Sequence, residues 1–596
     1  MAVSRGNPWD FDPGPPPASG WAELFASTPN YRALGKAALG REAFRWHHGP
    51  MFYRGRLDGS AKVILVGQEG AQDESLSHRS FTGGTGSRMQ CFLRFIGFDR
   101  SYLFLNSFVY PIFGQYTSDL RPLAQGPHSP IVSHRNRILD KAVIDGDARL
   151  IVAVGTAAKE SVATWIRSHG GTAQPDALHL ATLGSIPARV RVVGVLHPGS
   201  VATSGTAAIK ADFSRAIGHV RDWLTADATW LPADPRMTRD LSKAYVYGAD
   251  PIPFRDFPFG TTPRLGRGGT SSNRTDNQRG IRLFSAHGKY NAAGAHLTDP
   301  STATGTAAGY ADDAGDLPYE PPRAHPLGFD PGPPTALARL LIGGEPGFPW
   351  PDFAALGITS DPSFGVGPIY RGRFDDLSLI VLADPDAADD VFTGRALSGD
   401  AGQWLQAFLG AAGLNRRYLI LRPVPVDWSD LSGSARNGLV DDSRVQALHR
   451  ELLARLKATN PGLGLVLAVG AQSRRLAPHV TPAGVTVIEG AAHGETGWKA
   501  SWQGALTALS GHAYAKDLAA PSFAVPATRG QLPRIDLPYG TPRWVGTSGD
   551  RAVRPTDTDL GRPSPDYLKW LLPGWAASLA PAPLTASEQA AVNQLP

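Results

Sequence analysis

The chain carries two copies of one pattern, and that duplication sets how many cores it can build before any local feature is weighed. Phe11-Asp12-Pro13-Gly14-Pro15-Pro16 returns as Phe329-Asp330-Pro331-Gly332-Pro333-Pro334, and Tyr53-Arg54-Gly55-Arg56 returns as Tyr370-Arg371-Gly372-Arg373. Leu150-Ile151-Val152-Ala153-Val154-Gly155 returns as Leu465-Val466-Leu467-Ala468-Val469-Gly470. The segment Phe257-Pro258-Phe259-Gly260-Thr261-Thr262-Pro263-Arg264 has an echo in Leu537-Pro538-Tyr539-Gly540-Thr541-Pro542-Arg543, so each copy brings its own C-terminal arm. The order is kept throughout. The expected division is an N-terminal extension over 1–43, a first unit over 44–230, a Gly/Pro/Arg-rich arm and linker over 231–324, a second unit over 325–515, and a C-terminal arm and tail over 516–596.

In the first unit, short unbroken apolar runs occur at Val63 to Val66, Leu103 to Leu105, Leu150 to Val154 and Val190 to Leu196. Runs of that length bounded by Gly or polar residues read as strands buried on both faces. Helix-compatible segments lie between them at Ser87 to Ile96, Ser133 to Val143 and Thr156 to Ser168. The alternation predicts an α/β unit, a three-layer αβα arrangement around a mostly parallel sheet. The second unit repeats the rhythm at Leu379 to Leu382, Tyr418 to Leu421, Leu463 to Val469 and Val485 to Ile488. From Leu231 to Ala324 the composition favours an extended or mobile segment, and the tail after Pro563 carries a short amphipathic helix candidate.

Composition narrows the function classes. With 58 basic and 53 acidic residues in 596, the formal charge is only +5, so any contact with a polyanion must be local. The single cysteine, Cys91, excludes an internal disulfide framework and every multi-cysteine zinc or iron–sulfur site. The start of the chain lacks the apolar core of a signal peptide, and no apolar run reaches the roughly 18 to 20 residues that span a bilayer. The expectation is a soluble cytoplasmic protein with no membrane partner, no metal and no cofactor.

In a parallel sheet the ligand crevice forms at the carboxyl ends of the strands, so the residues just after each run are the ones to inspect. In the first unit these are Gly67-Gln68-Glu69, then Asn106, then Gly155-Thr156, then His197-Pro198-Gly199-Ser200-Val201. A carboxylate, an amide and an imidazole at one edge can activate water, read a polar heterocycle and stabilise a leaving anion. Singly, each is as well explained by a cap, a turn or a solvated loop.

Taken together, these stretches resemble the uracil-DNA glycosylase superfamily. Gly67-Gln68-Glu69-Gly70-Ala71-Gln72-Asp73-Glu74 with Arg79-Ser80-Phe81-Thr82-Gly83-Gly84-Thr85-Gly86 is similar to its first motif and the Arg-x-Phe-x-Gly-x-x-Gly element after it. Tyr102-Leu103-Phe104-Leu105-Asn106 is similar to the strand ending in its base-reading asparagine, and Val193 through Val201 to its His-Pro-Ser-Pro-Leu motif with the last positions altered. The resemblance implies Glu69 as the water-activating carboxylate, His197 as the group that holds the oxygen where charge collects, and Asn106 as the base reader. It implies Gln68, Phe81 and Ala71 around the base, Phe81 by stacking. Gly199 and Ser200 would approach DNA phosphates, and Val201 would stand in the place of a leucine wedge. The implied partner is single- or double-stranded DNA, and the implied reaction is monofunctional, since no lysine nucleophile is evident.

Two departures shape the expectation. A four-cysteine iron–sulfur cluster, found in some members of that superfamily, is excluded by Cys91 standing alone. Ala71 stands where classical uracil enzymes place a tyrosine that collides with a C5 substituent, so the pocket is expected to accept a 5-substituted pyrimidine. The second unit has lost the set: aligning strands puts Ala383-Asp384-Pro385 against Gly67-Gln68-Glu69, Arg422 against Asn106, and Gly490 against His197. It reads as a degenerate copy in which Arg371, Arg373, Arg395, Arg416, Arg417 and Arg422 either meet phosphates or pair with carboxylates. The arms add Arg264, Arg267, Arg274, Arg279, Arg282 and Arg543 to Arg554 as candidate DNA clamps or solvated linkers. The alternatives from other classes are a non-enzymatic DNA-binding or sensing protein on the same scaffold, and a hydrolase of free nucleosides.

Overall fold

A computed structural model describes residues 5–41, 43–44, 49–70, 74, 77–112, 116–261, 328–353, 355–356, 369–385, 393–426, 428, 431–541 and 583–595. Each apolar run becomes a strand. In unit one these are β2 (Val63–Gly67), β3 (Tyr102–Asn106), β4 (Leu150–Val154) and β5 (Arg191–Val195); in unit two, β7 (Leu379–Ala383), β8 (Tyr418–Leu421), β9 (Leu465–Val469) and β10 (Thr486–Gly490). The Tyr-Arg-Gly repeats add the edge strands β1 (Tyr53–Gly55) and β6 (Tyr370–Gly372), each antiparallel to its neighbour. The result is two five-stranded, mostly parallel sheets of the same plan, ordered β1-β3-β2-β4-β5 and β6-β8-β7-β9-β10.

Successive strand residues point to opposite faces, and both faces here are covered. Ile64 and Val66 enter a core with the helices Trp21–Ala26, Tyr31–Leu39, Pro130–Leu139 and Thr156–Ser168. Val63 and Leu65 enter another with the helices Gly84–Phe95 and Thr206–Ala226. In unit two, Ile380 and Leu382 face one core while Leu379 and Val381 face the other. The protein is therefore mixed α/β, with helices on both faces of each sheet. Among the described residues no helix is long and apolar enough to cross a membrane.

Residues 231–261 depart from the expected mobile segment: they are mostly irregular yet packed. Trp230 and Leu231 are buried in the core of unit one, and the Asp234 carboxylate accepts the backbone N–H groups of Asp99, Arg100 and Ser101. Asp517 does the same for Asn415, Arg416 and Arg417 in unit two. A backbone that carries buried apolar side chains and satisfied polar groups has lost its reason to move. The arm arginines from 264 onward and from 543 onward lie outside the described residues. A short helix runs over Ala586–Val592, capped by Thr585, and Glu588 accepts from the N–H of Asn30 in the N-terminal extension.

The arms bind their own unit through a buried ion pair and then cross to the other. Asp256 meets Arg54 at 2.6 Å and the Tyr102 hydroxyl at 2.8 Å; Asp536 meets Arg371 at 2.8 Å and the Tyr418 hydroxyl at 2.6 Å. Three residues further on, Phe259 is buried in a core of unit two, and Tyr539 in a core of unit one. Phe11 packs edge-on against Phe259 and Phe329 against Tyr539, so the duplicated Phe-Asp-Pro-Gly segments sit at the same crossing. Each half completes the interior of the other.

Two equivalent histidines, His134 and His449, are buried and donate Nε2–H to the carbonyls of Leu24 and Pro423 at 2.9 and 2.8 Å, while their Nδ1 atoms have no hydrogen-bond partner. Burial pushes both down to about 4 from the ordinary 6.5, because protonation at Nδ1 would bury a charge and an unmet donor together. The unfolded chain takes up these protons first as pH falls, so stability is whole above pH 6.5 and is lost as pH drops towards 4. The expected loss is about 1.4 kcal/mol per histidine per pH unit in that window. Urea titrations at pH 7, 6 and 5 check it, and replacing both residues by Gln should flatten the slope.

Candidate functional site

The carboxyl edge of unit one gathers most of the residues singled out from sequence. In the ladder Gly67 at the end of β2 pairs with Asn106 at the end of β3, so the Gln68-Glu69 turn and Asn106 start side by side. Gln68 donates to Glu69 Oε1 at 3.1 Å, and Glu69 Oε2 accepts the N–H of Ile112. Both side chains are half-buried, and their carboxylate is oriented rather than swinging in solvent.

Phe81 forms the floor. It has φ of 57° on a turn that packs its ring over Gly67, where an added Cβ would lie 2.3 Å from the ring and 2.9 Å from Asn106 Oδ1. That close approach requires glycine at 67. A positive φ on a bulky residue is strained and persists only where the surroundings hold it. Here they do: Glu74 Oε1 accepts from Thr82 and Gly83 N–H, the Ser77 and Thr82 hydroxyls pair at 2.6 Å, and Arg54 donates to the Ser80 carbonyl. Glu74 thus supports the turn. The same turn exists in unit two with Leu397 at φ of 50° and Thr393 paired to Ser398, so the strain belongs to the motif and not to chemistry alone.

The orientation of the Asn106 amide is determined by its neighbour. The Ser80 hydroxyl gives its proton to the Met51 carbonyl, so toward Asn106 it is an acceptor and must face Nδ2 at 3.3 Å. Oδ1 is left buried beside the Phe81 ring with no hydrogen-bond partner. An unmet buried acceptor costs roughly 1 to 3 kcal/mol, and a ligand N–H placed against it recovers that cost. The arrangement favours an acceptor role over the donor role that sequence left equally open.

His197 comes from the end of β5, two strands from β2. Gly155 lies between them, just past the end of β4; a Cβ there would come within 3.1 Å of His197 Cβ, so the bare position lets the imidazole lean over the sheet edge. The N–H of Gly199 donates to Nδ1 at 3.0 Å, which places the proton of the neutral ring on Nε2. Nε2 faces the Thr85 hydroxyl at 3.5 Å, at the start of the helix Gly84–Phe95. Burial, and next to it the charge of Arg88, pushes His197 down to about 4. The ring is therefore a neutral N–H donor at neutral pH. The Ser200 hydroxyl donates back to the His197 carbonyl, Gly199 is exposed, and Val201 is 48% exposed at the start of a short helix. Ala71 and the pair His47-His48 lie outside the described residues.

Sequence missed Ser80, Thr85 and the nitrogen of Ile112, because partnership between atoms of separate segments leaves no local pattern. A separate cavity of about 360 Å³ outside β5, lined by Lys159, His179, Asp212, Arg215 and His219 among others, contains none of the candidate residues. Among the described residues no group of three or more His, Cys, Asp or Glu is placed to hold a metal.

Unit two keeps Gly470 where unit one has Gly155 but differs at the positions of Gln68, Glu69, Phe81, Asn106 and His197. Asp384 replaces Gln68 and turns inward, accepting from Gln472 N–H, Ser473 N–H and the Ser473 hydroxyl at 3.1, 2.8 and 2.7 Å, which caps the helix Ala471–Val480. Burial pushes its carboxyl above the usual range despite those bonds. Arg422 replaces Asn106 and is itself buried. The strand ladder corrects one alignment: Gly490 pairs with Val469 as Val195 pairs with Val154, so Gly490 corresponds to Val195, and His197 corresponds to Ala492. His493 lies beside Trp404 and Trp498, with 6.0 and 4.8 Å between ring centroids. Of the arginines offered as phosphate contacts, Arg371 and Arg395 are buried in ion pairs with Asp536 and Asp330, while Arg373 and Arg417 pair with Asp375 and Asp376.

No family model matches the chain, and no curated protein matches it significantly.

Proposed function

We propose that unit one is a monofunctional DNA glycosylase that flips a uracil or a 5-substituted pyrimidine out of DNA and hydrolyses its N-glycosidic bond. The observation that carries this reading is the buried, partnerless Oδ1 of Asn106 beside the Phe81 ring, an acceptor that an N–H on the edge of a flat heterocycle would meet. The ordered motifs that resemble the uracil-DNA glycosylase superfamily supply the second line of support, and the shared plan of the two units is compatible with a tandem pair of such domains.

In this reading the base leaves with the electron pair of the C1′–N bond, and water forms the new bond to C1′. Glu69 takes the proton of that water and offsets the positive charge growing on the sugar, while the Nε2–H of His197 donates to the base oxygen as negative charge collects there. Two groups then lower opposite ends of one barrier. Flipping costs a few kcal/mol of stacking, which contact with Phe81 partly restores and exposed Val201 helps by filling the gap. Acceptance of a C5 substituent rests on Ala71 alone.

The test is release of free base by the full chain from single- and double-stranded oligonucleotides carrying uracil, thymine, hypoxanthine or 5-substituted pyrimidines, scored as alkali-labile sites. Release of uracil or a 5-substituted pyrimidine is the expected result. Strict uracil preference removes the C5 proposal, and DNA binding without release of any base replaces the enzyme with a binding or sensing protein.

A further inference from the structure

We propose that unit two is a positioning partner of unit one: the Tyr539 carbonyl of the second arm holds Arg79, and through it the turn that presents Phe81 and Ser80 to the base recess. This rests on the reading of unit one as a base-releasing site.

The geometry is a clasp with three members. Arg79 has a side chain only 1% exposed and lies two residues before Phe81. Its Nε donates to Asp12 at 2.7 Å, and its Nη1 donates to the Tyr539 carbonyl at 2.8 Å and to the His78 carbonyl at 2.9 Å. A guanidinium is a rigid planar fork, so fixing two acceptors from outside fixes the third, which is the backbone of the turn itself. Ser80, inside that turn, is the group that determines how the Asn106 amide faces. Tyr539 meanwhile fills the core of unit one against Phe25, Phe52 and Tyr53. A strained turn keeps its conformation only if its surroundings over-determine it, and one of those surroundings belongs to the other half of the chain.

The duplication supplies the control. Arg395 donates to Asp330 and to the Phe259 carbonyl, each at 2.6 Å, and to the Gly394 carbonyl at 2.9 Å, which reproduces the clasp around the turn that carries Leu397. The two clasps are equal in structure and unequal in what they hold.

The experiment compares Arg79→Lys and Tyr539→Ala with the mirror pair Arg395→Lys and Phe259→Ala, all in the full chain. It measures urea midpoint, kcat and KM for base release, and amide exchange over 77–86 and 393–402. Both pairs are expected to lower the urea midpoint alike. Only the first pair should lower kcat, by about ten- to a hundredfold with KM little changed, as expected for a misplaced reacting group. Tyr539→Phe should behave as native, since the first arm carries Phe259 at the same place. Equal kcat losses in both pairs, or none in the first, overturn the proposal. If the native chain releases no base, the enzyme reading fails, while exchange still decides the clasp. Faster exchange over 77–86 in Tyr539→Ala, without change over 393–402, supports positioning. Uniform change, or none, overturns it.

Discussion

Glu69→Gln is expected to lower base release by about two to four orders of magnitude, and His197→Ala by about two to three. Both estimates follow from the role proposed for each atom. Gln keeps the shape of Glu69 and its hydrogen bond to Ile112 N–H, yet cannot take a proton or offset a growing positive charge. Ala at 197 removes the one ring whose tautomer is set by the Gly199 N–H, and with it the donor at Nε2. Because His197 is neutral down to about pH 4, activity should show no titration assignable to this residue between pH 7 and 5. In the same assay Asp384→Ala, in the crevice of unit two, should leave base release unchanged. Activity that survives Glu69→Gln, or a loss in Asp384→Ala equal to that in His197→Ala, would place the chemistry elsewhere.

The largest loss of stability is expected from Asp536→Ala, about 3 to 5 kcal/mol, because it strands a guanidinium with no route to water. Arg371 has a side chain that is 0% exposed, and its other hydrogen bonds go to the neutral oxygens of Gln406, Ala396 and Gly402. Tyr418 loses the closer of its two acceptors at the same time and keeps Gln406 Oε1 at 3.0 Å. Asp256→Ala should cost a similar amount in unit one, where Arg54 and Tyr102 depend on it. Asp536→Asn keeps the shape and part of the bonding, so its loss should be smaller. Urea unfolding of the three variants checks the order, and a fall of less than 1 kcal/mol for Asp536→Ala would show that the arm detaches and lets water reach Arg371.

Much of this architecture was legible because buried parallel strands write themselves as unbroken apolar runs, and eight of ten strands were found that way. The two antiparallel edge strands, β1 and β6, coincide with the Tyr-Arg-Gly repeats but are only three residues long, too short for any periodicity. The helix after Phe81 begins at Gly84 rather than at Ser87, and glycines in a helix conceal its start. Gly86 is needed there, since a Cβ would lie 1.6 Å from the Phe81 carbonyl oxygen. The slip at Gly490 has a similar origin: β10 has no motif, and only the ladder with β9 gives its register.

For the site, position after a strand was enough to pick Glu69, Asn106 and His197. Their donors and acceptors were not readable, because Ser80, Gly199 and Ile112 meet them through folding and not through spacing. The arms were recognised as repeats, yet nothing local in Phe259 or Tyr539 tells which unit each will enter. A hydrophobic residue records that it will be buried and not by whom.

The crossed arms also bear on how such a gene can change. A truncation before Tyr539 removes an aromatic ring from the half that was translated first, so the second half cannot be lost as a spare copy. Substitutions there are screened by whether the first half still folds, whatever the second half itself binds. Drift then collects where it disturbs neither interior, and the crevice holding Asp384, Arg422 and Ala492 is such a place.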